Sequence, residues 1–84
     1  MRVNVKLFAA AREIVGEGEV SLDLTDGSTV GDLMEHFFTR YPELKRISGS
    51  LLLAVNREFA ERTVRLEEGD EVGVIPPVSG GTNA

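Results

Sequence analysis

The sequence of 84 residues has the length of one small domain, and its apolar and charged fractions, 42% and 27%, are those of an ordinary globular protein. The absence of cysteine excludes disulfides, thiolate nucleophiles and zinc–thiolate sites, and is consistent with a reducing compartment. The net charge of −5 disfavours nucleic acid as a partner, because affinity for nucleic acid comes largely from Lys and Arg contacts to phosphates.

The first element in chain order is a predicted strand over residues 3–8, where Val3, Val5 and Leu7 alternate with polar residues. Lys6 and the other polar residues interrupt the apolar N-terminus too early for a signal peptide. No apolar run approaches the ~20 residues of a membrane span. We therefore expect a cytoplasmic protein with no membrane partner.

The next elements are a short helix and a second strand. The composition from Ala9 to Val15 favours helix, and Gly16 is a suitable C-cap. Residues 20–24 alternate again and predict a strand, after which Asp26-Gly27 predicts a turn.

The principal helix is predicted from Val30 to Arg40, because apolar residues recur along one face at helical spacing. Thr29 and Asp32 have the spacing of a capping box at its start. The apolar face predicts packing against a sheet. The expected core residues are Val5, Leu7, Leu22, Leu33, Phe37 and Val74.

The second half of the domain is predicted to consist mainly of short strands. Residues 43–50 are polar and allow one short turn of helix, whereas residues 51–55 form a continuous apolar run. Such a run is typical of a strand that is covered on both sides or meets a partner. After a turn, residues 59–66 are expected to carry a short strand or two, and residues 71–75 the last strand.

This order of elements predicts a two-layer α+β domain over residues 1–75, with a mixed sheet packed on one main helix. Residues 76–84 are expected to form a flexible C-terminal tail. Pro76-Pro77 ends regular structure, and Gly80-Gly81 has no Cβ, so it is able to enter a channel that excludes other dipeptides. We interpret the domain as a scaffold that presents this tail to another protein's active site; an inert frayed end is the alternative.

The residues themselves form no convincing catalytic or metal-binding set. His36 is the single histidine, Ser79 lacks the context of a nucleophile elbow, and the acidic residues 67–71 lack the spacing of an EF-hand. The usable group is instead the carboxylate that Gly81 carries once the chain is cut after it. Such a carboxylate can be activated as an acyl-adenylate, and sulfur or an amine can then attack it.

A partner surface is predicted around the exit of the tail, at Phe8, Phe59, Ile75 and Val78. Apolar side chains beside a tail are costly to expose without a use, and the run 51–55 supplies more of them than one sheet face needs. The acidic net charge is compatible with a basic protein partner, although solubility alone also explains it.

Several short motifs occur in a characteristic order. They are Val5-Lys6-Leu7-Phe8-Ala9, Ala11-Arg12-Glu13, Thr29-Val30-Gly31-Asp32-Leu33, Ala54-Val55-Asn56, Gly69-Asp70-Glu71-Val72 and Pro76-Pro77-Val78-Ser79-Gly80-Gly81. With these motifs the chain resembles, over residues 1–81, the MoaD family, the ubiquitin-like sulfur carriers that are small subunits of molybdopterin synthase. The resemblance implies a β-grasp (ubiquitin-like) fold, which agrees with the predicted element order.

The resemblance also implies a mechanism. A ubiquitin-activating-type adenylyltransferase uses ATP to adenylate Gly81, and a persulfide sulfur then converts it to a thiocarboxylate. Gly80 and Ser79 thread the loaded tail into the large synthase subunit, which transfers the sulfur to a pyranopterin precursor. The chain itself supplies no general acid or base, binds no metal and holds no cofactor tightly.

One feature departs from the family pattern, because Thr82-Asn83-Ala84 follows Gly81 and blocks its carboxylate. Either a processing protease removes these residues, or they are a cloning remnant, or the protein has left the sulfur pathway. The alternatives to the molybdopterin pathway are a modifier joined to protein lysines, a carrier in another sulfur pathway, and a non-catalytic β-grasp interaction module. The residues Pro76 to Ser79 favour the molybdopterin branch.

Overall fold

The computed structural model, which describes residues 1–77, has a five-stranded mixed sheet with three helices on one face. The strands are β1 (Arg2–Leu7), β2 (Glu19–Asp23), β3 (Leu52–Val55), β4 (Glu58–Phe59) and β5 (Glu71–Ile75). The helices are α1 (Ala9–Val15), α2 (Val30–Arg40) and α3 (Pro42–Arg46), and a 3₁₀ turn covers Ser48–Ser50. The predicted α+β class, a mixed sheet packed on one main helix, is confirmed.

The strand order is β2-β1-β5-β3-β4, so the first and last strands of the domain lie side by side near the centre of the sheet. β1 and β5 run parallel, while the other neighbours are antiparallel. In this parallel pair Leu7 lies opposite Val74. The chain therefore leaves β5 at the end of the sheet where β1 also ends.

The core lies between the inner face of the sheet and the helices. Its buried side chains are Val3, Val5, Leu7, Ala11, Val30, Leu33, Met34, Phe37, Phe38, Leu44, Leu66, Val72 and Val74. Five of the six predicted core residues are in this cluster. Leu22 is only half-buried and packs against it, because β2 is an edge strand with a neighbour on one side.

Local sequence signals explain why α2 begins and ends where it was predicted. The Thr29 hydroxyl accepts a hydrogen bond from the Asp32 N–H at 3.1 Å, and the Asp32 carboxylate accepts one from the Thr29 N–H at 2.9 Å. This capping box satisfies two of the backbone donors that a helix start leaves free. Pro42 then begins α3 at a position where its missing N–H costs nothing.

The segment from 59 to 66 differs from its prediction, because it contains only the end of β4 and one isolated bridge between Thr29 and Arg65. Two of its carbonyl groups accept hydrogen bonds from the start of α2. The Val30 N–H donates to the Val64 carbonyl at 2.9 Å, and the Gly31 N–H to the Arg62 carbonyl at 2.8 Å. The segment thus caps α2 instead of extending the sheet.

Candidate functional site

The chain leaves the domain at the end of β5, beside the end of β1. Pro76 is buried and Pro77 is exposed, so the last described residues turn from the domain surface to solvent. The Phe8 N–H donates a hydrogen bond to the Val74 carbonyl at 3.2 Å. This bond holds the turn after β1 against the end of β5, directly at the exit.

The predicted tail residues Val78, Ser79, Gly80 and Gly81 lie outside the described residues, as does Thr82-Asn83-Ala84. Their roles, and the division of the chain at residue 75, stay predictions. Of the predicted partner surface, the structure places Phe8, Phe59 and Ile75.

These three residues share the outer face of the sheet, the face turned away from the helices. Successive strand residues point to opposite faces, and Val72 and Val74 point into the core, so Gly73 and Ile75 point outward. On the neighbouring strands Leu52 lies opposite Ile75, Ala54 opposite Gly73, and Phe59 opposite Ala54. We call Phe8, Leu52, Ala54, Phe59, Gly73 and Ile75 the outer apolar face.

The large side chains of this face are unusually exposed for their size. Phe59 is 76% exposed, Leu52 54% and Phe8 45%. An apolar surface of this kind, at the point where the chain leaves the domain, is the expected form of a protein contact site. Ala54 belongs to the same face and is buried, yet it is not in the core cluster, so neighbours on the outer side cover it.

Gly73 lies in the middle of this face, beside the Phe8 ring. A Cβ at Gly73 would lie 3.6 Å from Phe8 Cε2 and 3.8 Å from both Ala54 Cβ and Ile75 Cδ1. These are ordinary contact distances, so one methyl group would fit among these three side chains.

The orientation of Phe8 depends on a strained turn between β1 and α1. Ala9 has a φ of 50°, in the left-handed region that costs an L-residue roughly 1–2 kcal/mol. The Phe8 carbonyl accepts the N–H groups of Ala11 at 3.0 Å and Arg12 at 3.3 Å and so begins α1. This turn directs the Phe8 ring over Gly73.

Charged groups on β1 and around β5 form ion pairs and turns, and the acidic turn precedes β5, at the opposite end of that strand from the exit. Lys6, opposite Gly73 on the outer face, places its Nζ 3.4 Å from the Glu71 carboxylate. In the acidic turn the Asp70 carboxylate accepts the Glu67 N–H at 2.8 Å and the Asn56 amide at 2.9 Å. Within residues 1–77 no group of three or more His, Cys, Asp or Glu side chains is arranged to hold a metal ion.

The ion pair with shifted pKa values, Arg2 with Asp23, also lies away from the exit. The hydrogen bond and charge of the Arg2 guanidinium lower the pKa of the exposed Asp23 carboxyl. This pair joins β1 and β2 at the end of the sheet opposite to the exit, so it has no part in the chemistry of the tail. No helix among the described residues is long and apolar enough to cross a membrane.

A groove of about 530 Å³ lies on the inner side of the β3–β4 edge. It shares Leu52 and Phe59 with the outer apolar face, and its wall includes Phe38, over which the Arg62 guanidinium lies 5.5 Å from the ring centre. The Arg62 side chain also pairs with Glu35 at 3.2 Å. The apolar surface thus continues around the edge of the sheet.

The sequence predicted part of this surface and missed Leu52, Ala54 and Gly73. The uninterrupted apolar run 51–55 was the available signal for the first two, because a strand with one solvent face ordinarily alternates. Nothing in the local sequence marks Gly73, because the side chains that surround it depend on the order of the strands in the sheet.

Comparison with known proteins agrees with this arrangement. The model of the ThiS family matches residues 5–81. The molybdopterin synthase sulfur carrier subunit of Chlamydomonas reinhardtii is 35% identical over 83 residues, which cover 96% of this chain and 100% of the relative. The crystal structure of small archaeal modifier protein 1 (SAMP1) from Haloferax volcanii aligns with a TM-score of 0.84 at 31% identity and covers 96% of this chain and 100% of that one.

A more distant solved structure supports the fold alone. It is the complex of subunits 1 and 2 of the molybdopterin-converting factor from Helicobacter pylori, in which one chain aligns with a TM-score of 0.69 at 23% identity, covering 96% of this chain and 100% of that one. The β-grasp fold and the family resemblance stated from the sequence are confirmed. The chain belongs to the ThiS family, and within it is similar to the sulfur carrier subunits of molybdopterin synthase.

Proposed function

We propose that this protein is a ubiquitin-like sulfur carrier whose Gly81 carboxylate is converted to a thiocarboxylate for molybdopterin synthesis. The observation that carries the proposal is that the family match extends beyond the end of β5 and through Gly81. The exit beside an exposed apolar face supports a role in which another protein receives the tail.

The proposed chemistry uses reagents from partner proteins, because this chain has no cysteine. An adenylyltransferase joins the Gly81 carboxylate to AMP from ATP and releases pyrophosphate. The terminal sulfur of a persulfide attacks the carbonyl carbon and displaces AMP. A second thiol then cleaves the resulting acyl disulfide, which leaves the thiocarboxylate on Gly81 and a disulfide on the donor.

Activation of Gly81 requires removal of Thr82-Asn83-Ala84, because an amide-bonded carbonyl has no carboxylate oxygen to attack ATP. We therefore include a processing protease among the proposed partners. A cytoplasmic site of action is consistent with this chemistry and stays part of the proposal.

The proposed receptor of the loaded tail is the large subunit of molybdopterin synthase, docked on the outer apolar face. The similarity to the molybdopterin synthase sulfur carrier subunit of Chlamydomonas reinhardtii supports this partner, since that relative is by name one subunit of the synthase. Exposed Phe59 and Leu52 would be the main apolar contacts, together with the Phe8 ring. The charge of −5 would favour approach of a basic surface and make association faster at low salt.

The function is tested by the mass of the loaded protein. A chain ending at Gly81 is incubated with its adenylyltransferase, ATP and a persulfide donor. We expect the intact mass to rise by the replacement of one oxygen with sulfur, and the increase to map to Gly81. An unchanged mass, in a sample that consumes ATP, would contradict the sulfur-carrier function.

The docking surface is tested with Gly73→Ala and Phe59→Ala. The new Cβ at residue 73 lies at ordinary contact distances, so we expect unfolding stability to rise by up to about 0.5–1 kcal/mol. The same methyl group adds bulk to the outer apolar face beside Phe8 and should weaken binding of the large subunit. Phe59→Ala should change stability by less than about 0.5 kcal/mol but weaken binding about tenfold or more.

Calorimetric titration with the large subunit measures the binding affinity, and denaturant unfolding measures the stability. His36→Ala is the matched control, because His36 is exposed on the helix layer, away from the outer face. If both variants bind as tightly as the unmodified domain, the outer apolar face is not the docking surface.

The similarity to small archaeal modifier protein 1 favours a second candidate function, a modifier joined through Gly81 to lysines. Conjugation to a lysine begins with the same Gly81 acyl-adenylate as sulfur loading, and the two functions differ in the group that attacks this adenylate. The product distinguishes the two functions, since an amine yields an amide and sulfur yields a thiocarboxylate.

A further inference from the structure

The chain contains three amines that are chemically able to attack an activated carboxylate. They are the α-amino group of Met1 and the side chains of Lys6 and Lys45, the two lysines of the sequence. An attacking amine must be free of competing contacts, accessible to an acyl group that another protein holds, and clear of the outer apolar face, where the proposed partner docks. The structure separates the three amines on these criteria.

Two of them are engaged in contacts. The Met1 amino group donates to the Leu24 carbonyl at 2.7 Å and pairs with Asp26 at 3.4 Å. Lys6 pairs with Glu71 at 3.4 Å, and its side chain is 39% exposed. Lys6 also lies on the outer face of the sheet, opposite Gly73, where the proposed partner would cover it.

Lys45 has none of these restrictions. It lies in the last turn of α3, and the preceding Leu44 is fully buried in the core. The ion pairs found within residues 1–77 involve Met1, Arg2, Lys6 and Arg62, so Lys45 belongs to none of them. The residue is exposed on the helix layer, on the other side of the core from the outer apolar face.

We propose that Lys45 is the site on this chain that accepts the Gly81 acyl group of a second copy. The proposal rests on the proposed activation of Gly81. The neutral Lys45 nitrogen attacks the carbonyl carbon of the acyl-adenylate, the bond from this carbon to the phosphate oxygen breaks, and AMP leaves. The nitrogen releases a proton to solvent and an isopeptide bond remains, with no oxidation or reduction.

The test uses chains that end at Gly81, with the adenylyltransferase and ATP but without a sulfur donor. Lys45→Arg and Lys6→Arg are matched variants, because each keeps the positive charge and removes one amine. Pyrophosphate exchange measures activation, intact mass detects a linked dimer, and peptide mapping locates the bond. We expect equal exchange in all forms, a dimer linked from Gly81 to Lys45, and loss of this dimer only in Lys45→Arg.

The outcomes separate the two proposals. Exchange without a dimer, or a dimer that persists in Lys45→Arg, overturns the acceptor role and leaves the activation of Gly81 intact. Absence of exchange in every form contradicts that activation, and the acceptor role is overturned with it. Independently of the enzyme, sulfosuccinimidyl acetate should acetylate Lys45 severalfold faster than Lys6 in the folded chain, and an equal or slower rate at Lys45 would refute its greater accessibility.

Discussion

A chain that ends at Gly81 is expected to support ATP–pyrophosphate exchange by its adenylyltransferase, whereas the chain of 84 residues is not. The difference follows from bonding, because only the shorter chain has a free carboxylate on Gly81. The measurement is the exchange rate at saturating ATP with equal concentrations of the two forms. Equal rates would remove the basis of the carboxylate mechanism.

Gly81→Ala in the shorter chain tests whether the partner sites require a residue without Cβ. We expect exchange to fall strongly, since an adenylation site must close around the backbone at this residue. Val15→Ala is a suitable comparison, because it removes apolar contacts from the domain while leaving the tail unchanged. The unfolding transition should be the same with and without Gly81→Ala, so a shift would show that the tail contributes to domain stability.

Phe37→Ala is expected to lower the free energy of unfolding by about 3–5 kcal/mol, the usual range for emptying a buried phenylalanine site. Phe37 is 2% exposed and lies at the centre of the buried face of α2. Its ring also stacks on Tyr41, with ring centres 6.3 Å apart. The loss of this ring leaves a cavity that the surrounding sheet and helices cannot fill without moving.

Denaturant unfolding of Phe37→Ala and His36→Ala provides the comparison. His36 is the adjacent residue on the same helix and is exposed, so its substitution should change stability by less than about 0.5 kcal/mol. A cost below about 1 kcal/mol for Phe37→Ala would contradict the placement of this side chain in the core.

The sequence by itself determined the elements whose signals are local. The bounds of α1, α2 and β5 agree with their predictions, because each depends on a period of apolar residues and on nearby caps or turns. Gly16 ends α1 with a φ of 90°, and the capping box begins α2 as its sequence predicts.

Only the tertiary structure decided which residues meet across strands, because register joins residues that are far apart in the chain. It brought Leu52, Ala54 and Gly73 to the same face as Phe8 and Phe59, and it used the segment after β4 to cap α2.

The tertiary structure also distinguished the two lysines. Sequence patterns treat them alike as solvated charges, but pairing across β1 and β5 brings Glu71 to Lys6, and α3 leaves Lys45 free of such a contact among the described residues. The proposed chemistry of Gly81 rests on the sequence, because it depends on covalent bonding. The complete surface beside the exit could not be read from the sequence, because it is assembled from three strands and the turn after β1.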